Sequence, residues 1–453
     1  MALLSEDYDT VGDVDIKQLY LVPGIRGRQF EDLKEFLVEI NLYESIFSPF
    51  ITGSLILSDS INLPKLAPIL GDELIILQVL TPSMDEKFSI FKTFKINSIK
   101  DKVYSENGLT QLYKITFSSM EMFADILSPI SKSFKGNPHE LVKTIFTDYL
   151  SITRNLNVAK RPGGGDTTDK LETLDIPSPI TILTETENLV NFVSPNWTPI
   201  KCINWLCGQS QSVNKKANNF LFWETTKGFY YGTFNDIFKD PLTYSIGKYT
   251  QNVTSEGADT KDIAKKVFNI KTSRVKQTFD QLENVLTGYL ASRVVDVDLY
   301  NKSYDYSDYD HISNFVLNYS HTNGLNSVPI LDITTTRNPQ VYQTLNYNIP
   351  KLFSSAPNNF SEVYKDIYSN RRSNMLELTN FRKEIIIPGR TDIECGSLIE
   401  IDIIENKVRG DNVITQKDDL YSGFYLITAI SHKINLSSHY ITMEISKDSL
   451  FAE

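Results

Sequence analysis

Phe94-Lys95-Ile96-Asn97-Ser98-Ile99 alternates apolar and polar residues, the two-residue period of a half-buried strand. Far along the chain, Tyr425-Leu426-Ile427-Thr428-Ala429-Ile430 resembles it. Each segment is followed, after a loop, by a returning strand: Tyr113-Lys114-Ile115-Thr116-Phe117-Ser118 in one case, Tyr440-Ile441-Thr442-Met443-Glu444-Ile445-Ser446 in the other. Each is also preceded by a glycine turn that opens a strand. Gly71-Asp72-Glu73-Leu74-Ile75-Ile76 matches Gly396-Ser397-Leu398-Ile399-Glu400-Ile401. Self-similarity of this kind points to a repeated supersecondary unit. Hairpins at 36–58 and 220–234 are available as the opening strands of the two units. The chain therefore reads as two related β-domains.

Working outward, residues 1–120 form a first small β-barrel or sandwich. Phe36 to Leu42, Gly53 to Ser58, Leu74 to Leu80 and Leu112 to Phe117 supply its further strands. Glu106-Asn107-Gly108 marks a hairpin turn. Residues 121–215 read as a helical domain. Asn137-Pro138-His139-Glu140 has a cap residue, proline in the first turn and glutamate three after the cap. Leu141, Val142, Ile145, Phe146, Tyr149 and Leu150 follow as one helical stripe. Thr198-Pro199 opens another helix that buries Ile200, Ile203 and Leu206 and stops at Gly208. Residues 216–240 with 376–453 form the second, discontinuous β-domain. The 241–375 stretch is an accessory insertion with two helices. One carries Phe279, Leu282, Leu286, Tyr289 and Leu290 on a face, and the other runs from about Ser361 to Leu376. The fold class is α+β, mainly β.

With 453 residues, 41% hydrophobic and 22% charged, the chain has the composition of a soluble globular protein. Its apolar runs are too short to cross a membrane as helices. The N-terminus turns acidic at once, so no secretory signal is expected. A formal net charge of −11 argues against a surface built to neutralise phosphates. Cys202, Cys207 and Cys395 make no disulfide framework and suit a reducing cytoplasm. Twenty-three tyrosines and 25 phenylalanines favour strands and buried interfaces.

No active site stands out. His139, His311, His321, His432 and His439 have no metalloprotease spacing. His432 and His439 face each other across a hairpin, where two strand histidines are the expectation rather than a metal pair. Cys202 and Cys207 lie five apart and are expected to pack a helix. Val22-Pro23-Gly24-Ile25-Arg26-Gly27-Arg28 lacks the ending of a phosphate loop, and Gly163-Gly164-Gly165 reads as a linker. Asp305, Asp308 and Asp310 alternate with tyrosines but lack the glycine and distal glutamate of a calcium loop, so a solvated loop is expected. Pro388-Gly389 suits the middle of a type II turn. No catalytic, cofactor-binding or metal-binding residue is assigned.

Several ordered segments resemble the baseplate hub family of T-even-type contractile-tailed phages. They are Ile40-Asn41-Leu42-Tyr43-Glu44-Ser45-Ile46-Phe47 running into Gly53 to Ser60, Asn196 to Leu206 with Phe222-Trp223-Glu224-Thr225, Gly288 to Arg293 leading to Asp298-Leu299-Tyr300-Asn301-Lys302, and Ile387 to Ile399 closing with Tyr421 to Ile427 and His432. The resemblance spans about 36–447 and rests on order and spacing. It implies two tube-type β-barrels and a homotrimeric ring with pseudo-six-fold symmetry. It implies as partners the tail tube protein and the central spike protein, with baseplate wedge and tape-measure proteins as further contacts. DNA would pass through the ring without specific binding. The location would be the virion tail baseplate, after assembly in the host cytoplasm. The role is structural, and no catalytic residues carry over. A receptor-binding adhesin or a cell-wall hydrolase is the competing reading.

Overall fold

The structure is a computed structural model. It describes residues 11–450 except 23–30, 67–68, 83, 106–107, 152–155, 159–171, 175–178, 214–217, 240–244, 252–267, 299–301, 312, 315–320, 324–325, 328–339, 347–359, 410–411 and 419.

The first unit contains β1 (Asp15–Val22), β2 (Glu31–Asp32), β3 (Leu37–Ser45), β4 (Thr52–Asp59), short α1 (Leu63–Leu66), β5 (Leu74–Leu80), β6 (Ile90–Tyr104) and β7 (Gln111–Ser119). The strand order is β3-β4-β7-β6-β5-β1, and every neighbour is antiparallel. Alternate residues of all six strands meet in one core that includes Leu19, Leu42, Leu55, Leu77, Phe94 and Phe117. Each fully buried aliphatic or aromatic side chain there contributes about 1.5–3 kcal/mol relative to exposure. β1 is absent from the strands expected from sequence, although Ile16, Leu19 and Leu21 are buried on it.

The chain then enters a mixed layer. It holds α2 (Met120–Leu127), β8 (Ser133–Gly136), α3 (Pro138–Ile145) with a π turn over Phe146–Leu150, β9 (Leu156–Val158), β10 (Glu172–Leu174), β11 (Ile180–Ile182), β12 (Val190–Val193) and α4 (Pro199–Gln209). α3 starts at Asn137 with Pro138 first, but the Asn137 side chain makes no cap hydrogen bond. At α4 the Thr198 hydroxyl accepts from the Lys201 N–H at 3.4 Å. Gly208 lies inside α4 and does not end it, because the helix continues to Gln209.

The hairpin β13 (Phe220–Thr225) and β14 (Gly228–Thr233) follows, with short α5 (Phe234–Phe238). It was expected to open the second β-domain by pairing with strands beyond 384. Instead it forms a separate three-stranded sheet with β11. The reason is visible in its burial: both faces of β13 are apolar and covered. Phe220 and Phe222 enter the core beneath α3 and α4. Leu221 and Trp223 enter the core of the second unit. A strand whose two faces enter two different cores lies between them, and here it pairs with β14 rather than with the strands beyond 384.

The true opening strands come from the stretch expected to be an insertion. β15 (Ser245–Gln251) and β16 (Thr272–Gln277) join β21 (Phe381–Pro388), β22 (Leu398–Arg409), β23 (Asn412–Lys417), β24 (Gly423–Ile434) and β25 (His439–Lys447). Their order is β16-β21-β25-β24-β22-β15, with β23 on the distal part of β22. Strand for strand this repeats the first unit, with one difference. β15 runs parallel to β22, whereas β1 runs antiparallel to β5. Between β16 and β21 lie α6 (Gln281–Leu286), β17 (Ala291–Asp298), β18 (Ser303–Asp310), β19 (Asn326–Ser327), β20 (Gln340–Asn346) and the 21-residue α7 (Phe360–Asn380). β18, β17 and β20 form their own sheet, while β19 pairs with the terminal β26 (Ser449–Leu450). The face expected on the first of these helices is not a buried one. α6 is only six residues long, and Phe279, Leu282 and Leu286 are exposed, while Tyr289 and Leu290 beyond it are buried.

Candidate assembly interface

The two six-strand units share one continuous 14-stranded sheet, and β24 is the strand that joins them. Its first half, Gly423–Leu426, pairs with Ile401–Leu398 of β22. A bulge between Ile427 and Ala429 then interrupts its register with β25. Beyond the bulge, Ala429–Ile434 leaves its own unit and pairs antiparallel with Ser45–Ile40 of β3. Bulges bend a strand and increase its twist, so they re-aim an edge. Here the bend carries β24 from one unit to the other. Ile434 ends up in the core of the first unit.

Buried polar groups lie under this joint. Glu44 on β3 accepts from the Thr226 N–H at 3.2 Å and the Cys395 N–H at 3.3 Å. Burial, with Glu394 nearby, pushes its carboxyl up to about 8. His432 Nδ1 lies 3.1 Å from His439 Nε2, and both rings are fully buried. Burial pushes His432 down to about 4 and His439 well below the usual imidazole range. Two neutral rings sharing a hydrogen bond are core strand histidines, as their hairpin spacing suggested. Gly389 belongs to the same cluster. It does not adopt the positive φ of a type II turn. Its α-carbon faces the His439 ring so closely that an added Cβ would sit 2.0 Å from Cγ. The Gly389 N–H donates to the His439 carbonyl at 2.8 Å.

The first unit repeats the geometry of the joint without its second half. β6 carries a bulge between Ile96 and Ser98 against β7, at the position matching the bulge in β24. Before the bulge, Ile90–Lys95 pairs with β5, and the Ile96 N–H donates to the Glu73 carbonyl. In β24 the Ile427 N–H donates in the same way to Ser397. The strand after the glycine turn is thus one residue out of the register read from sequence: Leu74 corresponds to Leu398, not Ile399. Beyond its bulge, β6 has β7 on one side and, among the described residues, no strand on the other. Asn97 and Lys100–Tyr104 are exposed. At the far end of the sheet β16, the counterpart of β3, pairs only with β21 among the described strands, and its Arg274, Val275 and Lys276 are exposed. Next to it Phe279, Leu282, Val285 and Leu286 form an exposed apolar group. Open strand edges and contiguous apolar patches are places where chains associate.

Apart from His432, His439 and Cys395, which belong to the joint, the residues weighed for chemistry fall elsewhere. Cys202, Cys207 and Cys395 are buried thiols, and burial pushes Cys207 up to about 12, which makes it packing material. His139 Nδ1 bonds the Thr186 hydroxyl and backbone. The acidic run forms a strand, β18, rather than a loop. Asp308 pairs with Arg293 across β17, and Asp310 accepts from the Ser313 N–H. The side chain of Asp305, most of the Val22–Arg28 stretch and Gly163–Gly165 lie outside the described residues. One cluster was invisible in sequence because its members are far apart. His321 Nδ1 sits 2.8 Å from Asp448 Oδ2, with Glu377 close by. Asp448 also accepts from the Thr322 N–H and hydroxyl and from Ser449, and burial holds the Glu377 carboxyl well above its usual range. Those bonds make the cluster a tie between the inserted segment and the chain end. A cleft of about 830 Å³ between α4, α7 and β25 is lined by Trp205, Tyr368, Arg371, Met375 and Arg382. No described helix is long and apolar enough to cross a membrane.

No protein-family model and no curated protein matches the chain. Solved structures do. The tail protein from Neisseria meningitidis MC58 superposes with a TM-score of 0.50 at 9% identity, over 96% of this chain and 98% of that one. The 43 kDa tail protein of prophage MuSo2 from Shewanella oneidensis superposes with a TM-score of 0.51 at 9% identity, over 95% and 98%. At this identity the likeness is one of fold, and it extends over at least 95% of each chain.

Proposed function

We propose that this chain is the baseplate hub subunit of a contractile phage tail, a structural protein rather than an enzyme. The observation that carries the reading is the repetition of one six-strand order, bulge included, within a single chain. Two equivalent barrels per chain let three chains present six near-identical units. Such a ring matches a hexameric tail tube on one side and offers three-fold symmetry to a central spike on the other. The first barrel belongs to the 1–120 domain. The second is assembled from 245–277 and 381–447, and the 121–215 layer and the residues between β16 and β21 flank them. The near-full-length likeness of fold to two tail proteins supports a location in the virion tail, and so does the sequence resemblance to hub proteins. The tube protein, the spike, the wedge and the tape measure are its partners in this reading. DNA crosses the ring without being held, in keeping with an acidic chain.

Native mass spectrometry at micromolar protein, with and without a spike protein, tests the assembly. The expected species is a closed trimer of the 51.6 kDa chain. A chain that stays monomeric under both conditions overturns the hub reading.

A further inference from the structure

We infer that the open half of β6 and the open edge of β16 are the two sides of one seam. The Lys100–Tyr104 segment of one copy adds antiparallel to Ser273–Gln277 of the next copy. The proposal deepens the ring reading above, but its argument comes from the internal repeat. Within a chain, the post-bulge half of β24 pairs with β3. β6 is the counterpart of β24, and β16 is the counterpart of β3. The same relation applied once more therefore joins β6 to a β16. The chain's own β16 lies at the opposite end of the sheet, beyond β21, β25, β24, β3, β4 and β7. The β16 that β6 meets must then belong to another copy. The contact is heterologous, with different surfaces on its two sides, and it generates a ring when the rotation it imposes closes, as the trimer proposed above requires.

The register follows from the pairs already present. Ile96 faces Phe117 and Ile427 faces Ile445, which equates β7 with β25. Gly53 then matches Lys383, each opposite that position. Asn41 pairs with Ser54 and Arg274 pairs with Glu384, so Asn41 matches Arg274. The in-chain pair Ser431–Tyr43 translates to Lys100 opposite Gln277. Lys433–Asn41 translates to Val103 opposite Arg274, and Ile434–Ile40 to Tyr104 opposite Ser273.

An independent agreement supports this register. β6 has a second irregularity between Lys100 and Val103, which inserts one residue, and Asp101 there has φ +54°. β16 inserts one residue between Val275 and Gln277. The two insertions fall opposite each other, so the register stays in step on both sides. Asp101 then faces Lys276 and Lys102 faces Val275, and no two like charges stand directly opposite. The seam would cover Val103 and Val275, which are 60% and 40% exposed in the isolated chain. Their in-chain counterparts Lys433 and Leu42 already lie in the finished joint.

A Val103→Cys/Arg274→Cys double variant tests the pairing. Directly opposed strand residues come within disulfide reach, and residues three positions apart along a strand do not. The native cysteines are buried and leave a low background. After mild oxidation, most of the chain should run as covalent multimers on a non-reducing denaturing gel. A Val103→Cys/Gln277→Cys control should stay at one chain mass. If a trimer forms by mass but the matched pair links no better than the control, the seam is wrong and the ring stands. If neither trimer nor cross-link forms, both are wrong. Should the variants fail to fold, hydrogen exchange on the unmodified protein decides. Amides of 100–104 and 273–277 should both gain protection on assembly, and exchange left unchanged in either segment overturns the seam.

Discussion

The two six-strand units solve the same topological problem with different side chains, and the positions that match are informative. In the first unit Asp59 stands opposite Gln111. Its carboxylate accepts from the Ile61 and Leu63 N–H groups, Gln111 Nε2 and the Tyr113 hydroxyl. In the second unit the matching place holds Gly389 against the His439 ring. Gly53 and Ser119 of the first unit become Lys383 and Lys447 in the second. The unit with a short link between β3 and β4 buries one lysine, Lys92, paired with Glu224. The unit interrupted between β16 and β21 buries two, Lys383 and Lys447, and holds a parallel strand. Backbone order and bulge position are thus retained where side-chain chemistry is not. What the two units share is the ability to present a bent strand and an edge in the same relative places.

The largest expected effects lie at the paired core positions beside the bulges. Phe117→Ala should cost about 3–5 kcal/mol and Ile445→Ala about 2–5 kcal/mol. Because β24 and β3 fuse the two cores, both variants should lower the midpoint of one shared urea transition. Two separate transitions, each moved by only one variant, would show that the units are energetically independent.

Next come the matching turn positions. Asp59→Ala leaves the buried Leu63 N–H without its acceptor and should cost about 1–3 kcal/mol. Gly389→Ala forces the His439 ring to move and should cost about 1–3 kcal/mol through overpacking. Denaturant titration of the two variants measures both. An unperturbed Gly389→Ala protein would mean that the ring has room to shift.

A smaller effect depends on pH. Burial pushes the Lys447 ammonium down to about 7, while its Nζ donates to the Leu420 and Ser422 carbonyls. A folded value below the unfolded one means that the unfolded chain binds more protons between pH 7 and about 10.5. Stability should rise with pH across that window. Lys447→Met should flatten the rise, and a slope that survives the substitution would assign it to another group.

The smallest effect on the single chain is expected from Val103→Asp. An exposed substitution on an open edge should change monomer stability by no more than about 0.5 kcal/mol. Thermal melts of the monomer should therefore coincide with the unsubstituted protein while the trimer peak declines. A melting point lowered by many degrees would show that Val103 already belongs to the folded core.

β6, β7 and β25 were legible in the sequence because they are half-buried. Phe94, Ile96, Tyr113, Ile115 and Phe117 alternate with polar neighbours, as do Ile441, Met443 and Ile445. The opening strand of the second unit was not legible. Thr272-Ser273-Arg274-Val275-Lys276-Gln277 has one apolar residue and lies exposed at a sheet edge, so it carries no burial period. The aromatic hairpin at 220–233 drew the assignment in its place, because strong apolarity marks a strand without saying which sheet it joins. Pro388-Gly389 misled for a related reason: the glycine answers a ring packed against it and not a turn. The joint itself has no local signal. Glu44, His432 and Cys395 meet only once strands from both ends of the chain are side by side.

The strand that links the two units also sets a timetable. β3 leaves the ribosome several hundred residues ahead of the β24 residues that cover its edge. At about 5–20 residues per second, the β3 edge waits on the order of tens of seconds for its neighbour. An unpaired edge is a template for the wrong strand, including the β3 of another nascent chain. The buried carboxyl of Glu44 lies on that edge, and before closure it is open to water and ionised at neutral pH. A charged residue on a waiting edge discourages like edges from pairing, and the charge is relinquished when β24 arrives. The same side chain would then guard the nascent chain and become a neutral group in the finished joint.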